Sequence, residues 1–206
     1  QTTTARPRVR DSRIHDCEKG VFIEDTDGTA LIELTEISSC DIGIDGSWCG
    51  WSDAVDVSYA TVKDNIEGLK TSGSAKFDVR NSLFMNNTGT AIASSGGQYK
   101  HNKFVSNGTG IQTDSGWDTI ELNEFLLNKV GIAVGSYPSR PQIHYNTFKL
   151  NKEFAITFGG GNDNGAVNAQ YNWWNTVAPE VIQEAVWDIY DDPDLFEVLV
   201  FPFLNA

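Results

Sequence analysis

Apolar and polar residues alternate along this chain in short segments, and the segments recur at a nearly constant interval. The clearest pair is NKFVSNGTGI at 102–111, which returns 21 residues later as NEFLLNKVGI at 123–132. Alternation with a period of two is typical of β-strands. A repeat of this length marks a solenoid, in which each unit is too small to bury its apolar face alone and stacks on its neighbour.

Eight units follow one another when the position of Phe104 is used as the anchor of each. The anchors, 20 to 26 residues apart, are Ile14, Ile37, Val62, Phe84, Phe104, Phe125, Phe148 and Trp174. Leucine is rare in the apolar columns, which disfavours a leucine-rich repeat. The pattern therefore predicts an all-β, single-stranded parallel β-helix of about eight coils, stacked about 4.8 Å apart.

Asparagine fills the column three residues after the anchor in five successive units. These residues are Asn65, Asn87, Asn107, Asn128 and Asn151. A buried amide needs hydrogen-bond partners, so the column predicts a structural ladder of side-chain amides.

Cysteine occupies the same column in the first two units, at Cys17 and Cys40, and Cys49 brings the number of cysteines to three. An odd number allows at most one disulfide bond within the chain. Three arrangements remain open: buried free thiols, a Cys40–Cys49 bond, or a Cys17–Cys40 bond.

The repeat divides the chain into three parts. Residues 1–8 are polar and patternless and are interpreted as a linker or frayed end, 9–176 as the parallel β-helix, and 177–206 as a C-terminal cap with a short helix within 179–188. An open solenoid end exposes strand edges and therefore needs a cap. The Val9 end has no evident cap, so we expect further coils, another domain or a subunit to cover it, and the chain is open to being a piece of a longer protein.

The C-terminal part carries NWWNT at 172–176, DDP at 191–193 and PFL at 202–204. This series resembles the closing segment of right-handed parallel β-helix proteins of the pectate-lyase-like type, many of them secreted or on the cell surface. Asn175 stands where that family usually has glycine. The resemblance implies a right-handed helix and an extracellular or cell-surface location. It implies little about activity, because the scaffold hosts lyases, hydrolases, epimerases, adhesins and glycan-binding modules.

The formal net charge of −13 makes nucleic acid and acidic membranes unsuitable general partners. The sequence contains no apolar run of about 18 residues, which is the length that would predict a membrane span. No signal peptide is visible at the start of the sequence.

Two outward columns of the predicted sheet carry charges in register. Arg10 and Arg13 should face Glu33 and Glu36, and Lys100 and Lys103 should face Glu121 and Glu124. Such cross-strand charge pairs are typical of a solvent-exposed sheet face.

The sharper interpretation concerns a line of four outward residues, Arg80, Lys100, Glu121 and His144, which we call the outer line. It could bind an acidic glycan, and Arg80, Lys100 and His144 are candidate catalytic groups for β-elimination. His101 falls in a neighbouring column with Asn81, Leu122 and Tyr145 and is interpreted as packed.

Two further features suggest ligands. Trp48, Trp51 and Trp117 lie in predicted loops, where exposed rings could stack on sugar faces or else pack against a neighbouring loop. Asp25 and Asp27 place alternate carboxylates on a turn, which suits Ca²⁺ or else a plain solvated turn. The sequence requires no cofactor beyond this candidate calcium ion.

Three functions remain open. The first is an extracellular module that binds polysaccharide or a cell-surface glycan, and the second is a polysaccharide lyase or related carbohydrate-active enzyme. The third is a structural or adhesive solenoid without catalysis. Recognisable catalytic motifs of the superfamily are not evident, so enzymatic activity stays undecided from the sequence.

Overall fold

The computed structural model describes residues 7–24, 29–48, 54–71, 76–94, 96–114, 117–135, 140–159 and 165–205, without the side chains of residues 47 and 48. Within these ranges the protein is a parallel β-solenoid with three long sheets. The predicted all-β parallel fold is confirmed.

Every named strand pair within the three sheets is parallel and joins one coil to the next. Sheet 1 contains β1 (Arg8–Arg10), β4 (Thr29–Glu33), β7 (Ala54–Ser58), β10 (Lys76–Arg80), β13 (Gly97–Lys100), β16 (Thr119–Glu121), β19 (Gln142–His144), β22 (Val167–Asn168) and β24 (Val198–Leu199). Sheet 2 contains β2 (Arg13–His15), β5 (Glu36–Ser38), β8 (Thr61–Lys63), β11 (Leu83–Met85), β14 (Lys103–Val105), β17 (Glu124–Leu126) and β20 (Thr147–Lys149). Sheet 3 contains β3 (Lys19–Glu24), β6 (Ile42–Trp48), β9 (Glu67–Thr71), β12 (Thr90–Ser94), β15 (Thr109–Thr113), β18 (Val130–Val134), β21 (Phe154–Phe158) and β23 (Val186–Trp187).

Seven coils of the described chain contribute a strand to all three sheets, slightly fewer than the eight expected. The eighth unit, anchored at Trp174, supplies β22 to sheet 1 but only the single bridge Thr147–Trp173 to sheet 2. After this bridge the chain turns into helix α1 (Pro179–Glu184), which begins with proline at its first turn, as expected. Ile182 of α1 is fully buried, and β23 then pairs with β21.

The anchor column forms the centre of the core. Phe84, Phe104, Phe125 and Phe148 stack in sequence, with ring centroids 5.3, 4.8 and 5.1 Å apart. Trp174 continues the stack 4.9 Å from Phe148. These rings are buried, and stacked neighbouring rings add to the free energy gained from burial itself.

Asparagine side chains cross-link the coils at both turns of sheet 2. At the second turn Asn65, Asn87, Asn107 and Asn128 each donate an amide hydrogen to the next Asn Oδ1, at 2.9 to 3.2 Å, ending at Asn151. At the first turn an equivalent chain runs through Asn102, Asn123, Asn146 and Asn172. Because each Oδ1 also accepts a backbone N–H of the preceding coil, these buried polar groups are satisfied.

Candidate ligand-binding surface

The structure brings the four residues of the outer line together on sheet 1. Arg80 pairs in register with Lys100, Lys100 with Glu121, and Glu121 with His144, on four consecutive coils. Their side chains lie on the outer face, opposite the buried residues of the same strands.

Most of this line is engaged within the protein. The ammonium of Lys100 lies 3.2 Å from a carboxylate oxygen of Glu121. His144 contacts the carbonyl oxygen of Gln170 through Nδ1 at 2.9 Å and the side chain of Gln142 through Nε2 at 3.1 Å. As a base, Lys100 would first have to release Glu121.

Asp78 lies beside Arg80 on the same outer face and pairs in register with Asp56 of the preceding coil. Partial burial raises the pKa of Asp78, and the neighbouring Asp56 carboxylate raises it further. Arg80 and Lys100 oppose this rise in the pKa. The field around Arg80 is therefore mixed in sign.

The expected charge pairs are largely present. Lys103 contacts Glu124 at 2.9 Å, and Arg13 contacts Glu36 at 3.4 Å. Arg10 faces Glu33 in register, as expected, but the two side chains form ion pairs with other residues: Arg8 contacts Glu33, and Arg10 lies 3.4 Å from Asp11. The residues at both ends of β1 point outward, so Arg8 competes for the same glutamate.

The predicted loop sites lie partly outside the described residues. Trp51, Asp25, Asp27 and Cys49 are outside them altogether. Trp48 belongs to strand β6 rather than to a loop, and its side chain is not described. Trp117 is 89% exposed.

The residue after Trp117 belongs to a buried polar cluster that the sequence pattern did not indicate. Asp118 accepts hydrogen bonds from the hydroxyls of Thr113 and, at 3.1 Å, Ser94, and Ser94 in turn contacts the hydroxyl of Tyr99. Burial raises the pKa of Asp118 to about 6, although these hydrogen bonds lower it. The carboxyl group holds the chain in place directly next to the exposed Trp117.

A second surface was missed because its residues break the strand alternation. The residue at the turn from sheet 1 to sheet 2 has a left-handed backbone in each coil, with φ from 49° to 60°. This turn column consists of Asp11, Leu34, Tyr59, Asn81, His101, Leu122, Tyr145 and Tyr171. The interpretation of His101, Asn81, Leu122 and Tyr145 as packed is wrong, because the left-handed turn directs them to solvent.

Bulky residues in this column are neither favoured by the backbone nor buried. Left-handed φ is unusual for residues other than glycine, asparagine and aspartate, and a strained backbone position costs on the order of 1–3 kcal/mol. Yet Tyr59, Tyr145 and Tyr171 are 60, 49 and 42% exposed, and Leu34 and Leu122 about half exposed. Together with His101, we call these residues the turn ridge.

The turn from sheet 2 to sheet 3 provides an internal comparison, since its φ values of 55° to 59° fall within the range of the first turn. Its residues are Asp16, Ser39, Asp64, Asn86, Ser106, Leu127, Leu150 and Asn175. Six of these eight are small and polar, as the backbone conformation favours. The ring-bearing residues are therefore concentrated on one of two equivalent turns.

At its C-terminal end the turn ridge joins the outer line. The rings of Tyr145 and Tyr171 stack with centroids 5.9 Å apart and planes 20° from parallel. His144 is tilted against both, 6.3 and 6.4 Å away. Three partly exposed rings thus form one aromatic surface.

Two shallow grooves run beside the turn ridge, between it and the outer face of sheet 2, with volumes of about 390 and 520 Å³. They share His101 and Lys103 and extend from Tyr59 to Tyr145. Thr61 and Thr147 supply hydroxyl groups at their two ends. The two grooves therefore adjoin at these shared residues and follow the turn ridge over several coils.

Comparison with known proteins identifies one matching family. A family model described as "Periplasmic copper-binding protein (NosD)" matches residues 2–183. The chain belongs to the NosD family. No curated protein and no solved structure matches it. NosD membership agrees with the parallel solenoid, and its periplasmic description agrees broadly with the expected extracellular or cell-surface location, whereas the pectate-lyase-like resemblance gains no further support.

The described residues of this NosD-family chain do not fit a copper site. Copper favours imidazole and soft sulfur ligands, but no group of three or more His, Cys, Asp or Glu in the described ranges could hold a metal ion. His15, His101 and His144 lie on three different coils. Burial, with the contact to Cys17, raises the pKa of the Cys40 thiol to about 11, which disfavours the thiolate that a metal would need. The calcium expectation likewise receives no support.

No helix in the described part of the NosD-family chain has the length and apolar character needed to cross a membrane.

Proposed function

We propose that the chain is a glycan-binding solenoid whose ligand, a linear polysaccharide, lies along the turn ridge and its grooves. One observation carries the proposal: large side chains occupy exposed left-handed positions on one turn, while the equivalent turn carries mostly small polar residues. Neither backbone preference nor burial accounts for that difference. A ligand that stacks on the rings does.

The chemistry of the surface suits sugars. Tyrosine rings present an apolar face and a polar edge, as a sugar ring does, and the threonine hydroxyls with the Lys103–Glu124 pair supply hydrogen bonds beside them. From Leu34 to Tyr171 the ridge covers six coil steps, roughly 29 Å at about 4.8 Å each. The net charge of −13 favours a neutral chain over an anionic one.

The first test is the double variant Tyr145→Ala/Tyr171→Ala, measured for binding to a panel of neutral and acidic polysaccharides by affinity electrophoresis. We expect at least one neutral polysaccharide to bind the wild type. The double variant should weaken that binding about tenfold or more, because each aromatic stacking contact contributes about 0.5–1.5 kcal/mol.

The matched control is Leu127→Ala/Leu150→Ala, which truncates two exposed residues with the same backbone on the other turn. It should bind as the wild type does. Equal loss in both double variants would assign the effect to the fold. A wild type that binds no polysaccharide would leave the structural or adhesive solenoid as the function.

The outer line favours a second candidate, a polysaccharide lyase, because Arg80, Lys100 and His144 lie in register on one face. β-Elimination needs a base and a cation near the substrate carboxylate. Incubation with pectate or alginate should then produce the ultraviolet absorbance of unsaturated sugar ends, and Arg80→Ala should abolish it. A wild type that generates no such absorbance excludes this candidate for those substrates.

The first coil of the described chain supports a further proposal about partners. Val9 and Ile14 are only partly buried, and β1, β2 and β3 are the first strands of their sheets. We propose that the protein lies outside the cytoplasm and that further coils, another domain or a subunit covers this edge of the three sheets. Slow amide exchange of β1 in the intact protein would support such a cover, and exchange as fast as that of an unprotected edge would contradict it.

A further inference from the structure

The asparagine ladder of the second turn changes its chemistry at the first two coils, where Cys17 and Cys40 replace asparagine. The flanking residues pair in register, His15 with Ser38 and Lys19 with Ile42. The two cysteines are therefore one coil apart, about 4.8 Å, which lies within the usual Cα separation of a disulfide. In the structure both are free thiols, and their Sγ atoms are 2.7 Å apart.

Elsewhere in this column side-chain amides join neighbouring coils. Asn65 already serves the Cys40 coil, because its Oδ1 accepts the Cys40 backbone N–H at 2.9 Å. Between the first and second coils the column places the Sγ atom of Cys17 next to that of Cys40, where later coils have a hydrogen bond between amides. Cys40 is 3% exposed, whereas Cys17 is only partly buried. A reagent in solution can therefore reach the Cys17 sulfur but not the Cys40 sulfur.

We propose that Cys17 and Cys40 form a disulfide bond that joins the first coil to the second. The proposal rests on the fold and on the periplasmic description of the NosD family, and is independent of glycan binding. Disulfides persist in oxidising compartments, the bacterial periplasm among them. The bond takes the place of the amide link at the end of the ladder.

The oxidant is a second disulfide, on a small molecule or on a thiol-oxidising protein. The Cys17 thiolate attacks it and forms a mixed disulfide, releasing one thiol. The Cys40 thiol then loses its proton, and its thiolate displaces the second thiol from Cys17, a step that the raised pKa of Cys40 slows. Two protein thiols lose two protons and two electrons. The oxidant's disulfide gains both and becomes two thiols.

The test uses the reduced wild-type chain and oxidised glutathione as the probe. After incubation, remaining thiols are alkylated and the protein is digested without reduction. We expect a linked peptide pair containing Cys17 and Cys40, one alkylated cysteine, and an upward shift of Tm by several degrees that dithiothreitol reverses, since closing a loop constrains the unfolded chain.

Two variants sharpen the outcome. Cys49→Ser should retain the linked pair and the Tm shift, and Cys17→Ser should lose both. A linked Cys40–Cys49 pair in the wild type would overturn the proposal, as would two alkylated thiols at Cys17 and Cys40 after oxidation of the folded protein. Because the peptide map is made on the wild type, a variant that fails to fold does not affect the decision.

Discussion

At the residue scale, Asp118 makes stability depend on pH in a particular direction. Its native pKa of about 6 lies above the value of about 3.9 for an unfolded aspartate. The folded state therefore binds more protons between these values, so this stabilisation is present below pH 4 and is lost as pH rises through 6. The loss should be about 2–3 kcal/mol of unfolding free energy.

Urea unfolding of the wild type and Asp118→Asn between pH 4 and 7 measures this effect. The variant should lose the falling contribution, so the difference between the two proteins changes across that interval. Asp64→Asn, which removes an exposed carboxylate, should follow the wild type. A constant difference between wild type and Asp118→Asn would contradict the prediction.

The residue scale also shows why the turn ridge escaped sequence analysis. Tyr99 is buried and Lys100 points outward, so strict alternation assigns His101 to the interior. The left-handed backbone at His101 reverses that assignment, and the next residue, Asn102, is the one that returns to the core. Periodicity predicts the direction of strand side chains, but it contains no information on φ at a turn.

At the scale of single elements, the ladder contributes to stability through hydrogen bonds that depend on one another. The Asn107 Oδ1 accepts both the backbone N–H and the side-chain amide of Asn87, at 3.0 and 2.9 Å. The Asn107 amide donates to Phe84 and Asn128, both at 3.0 Å. Asn107→Ala removes these bonds and leaves buried groups unpaired, so it should lower the unfolding free energy by about 2–4 kcal/mol.

The control for this prediction is Gln112→Ala, which removes an exposed amide from the strand of the same coil. Guanidinium unfolding should show a change within about 0.5 kcal/mol for this surface variant. An equally small loss for Asn107→Ala would show that water replaces the ladder bonds.

The strands were predictable because alternation and the anchor column are both repeated seven times. The strands of the eighth unit were less predictable. Trp174 has the expected spacing and stacks on Phe148, yet this unit adds only a single bridge to sheet 2. An apolar anchor indicates which residue enters the core. It does not indicate whether the flanking residues go on to form a ladder of backbone hydrogen bonds.

At the scale of the whole molecule, the parallel fold followed from the repeat, whereas the candidate surface did not. The outer line could be placed on one face because its members share a column. The copper in the family's description finds no ligand cluster among the described residues, since the histidines are distributed over distant coils. The family description alone therefore does not assign a ligand to this chain.

Each coil places one residue of the turn column at this turn with the same left-handed backbone, and in six coils that residue belongs to the turn ridge. Duplication or loss of one coil would therefore lengthen or shorten the ligand-binding surface by one coil step. The backbone of the remaining turn positions would not change. A bound chain would also meet nearly equivalent positions one step apart. It could shift along the axis without full release, so retention would depend on the number of coils more than on any single contact.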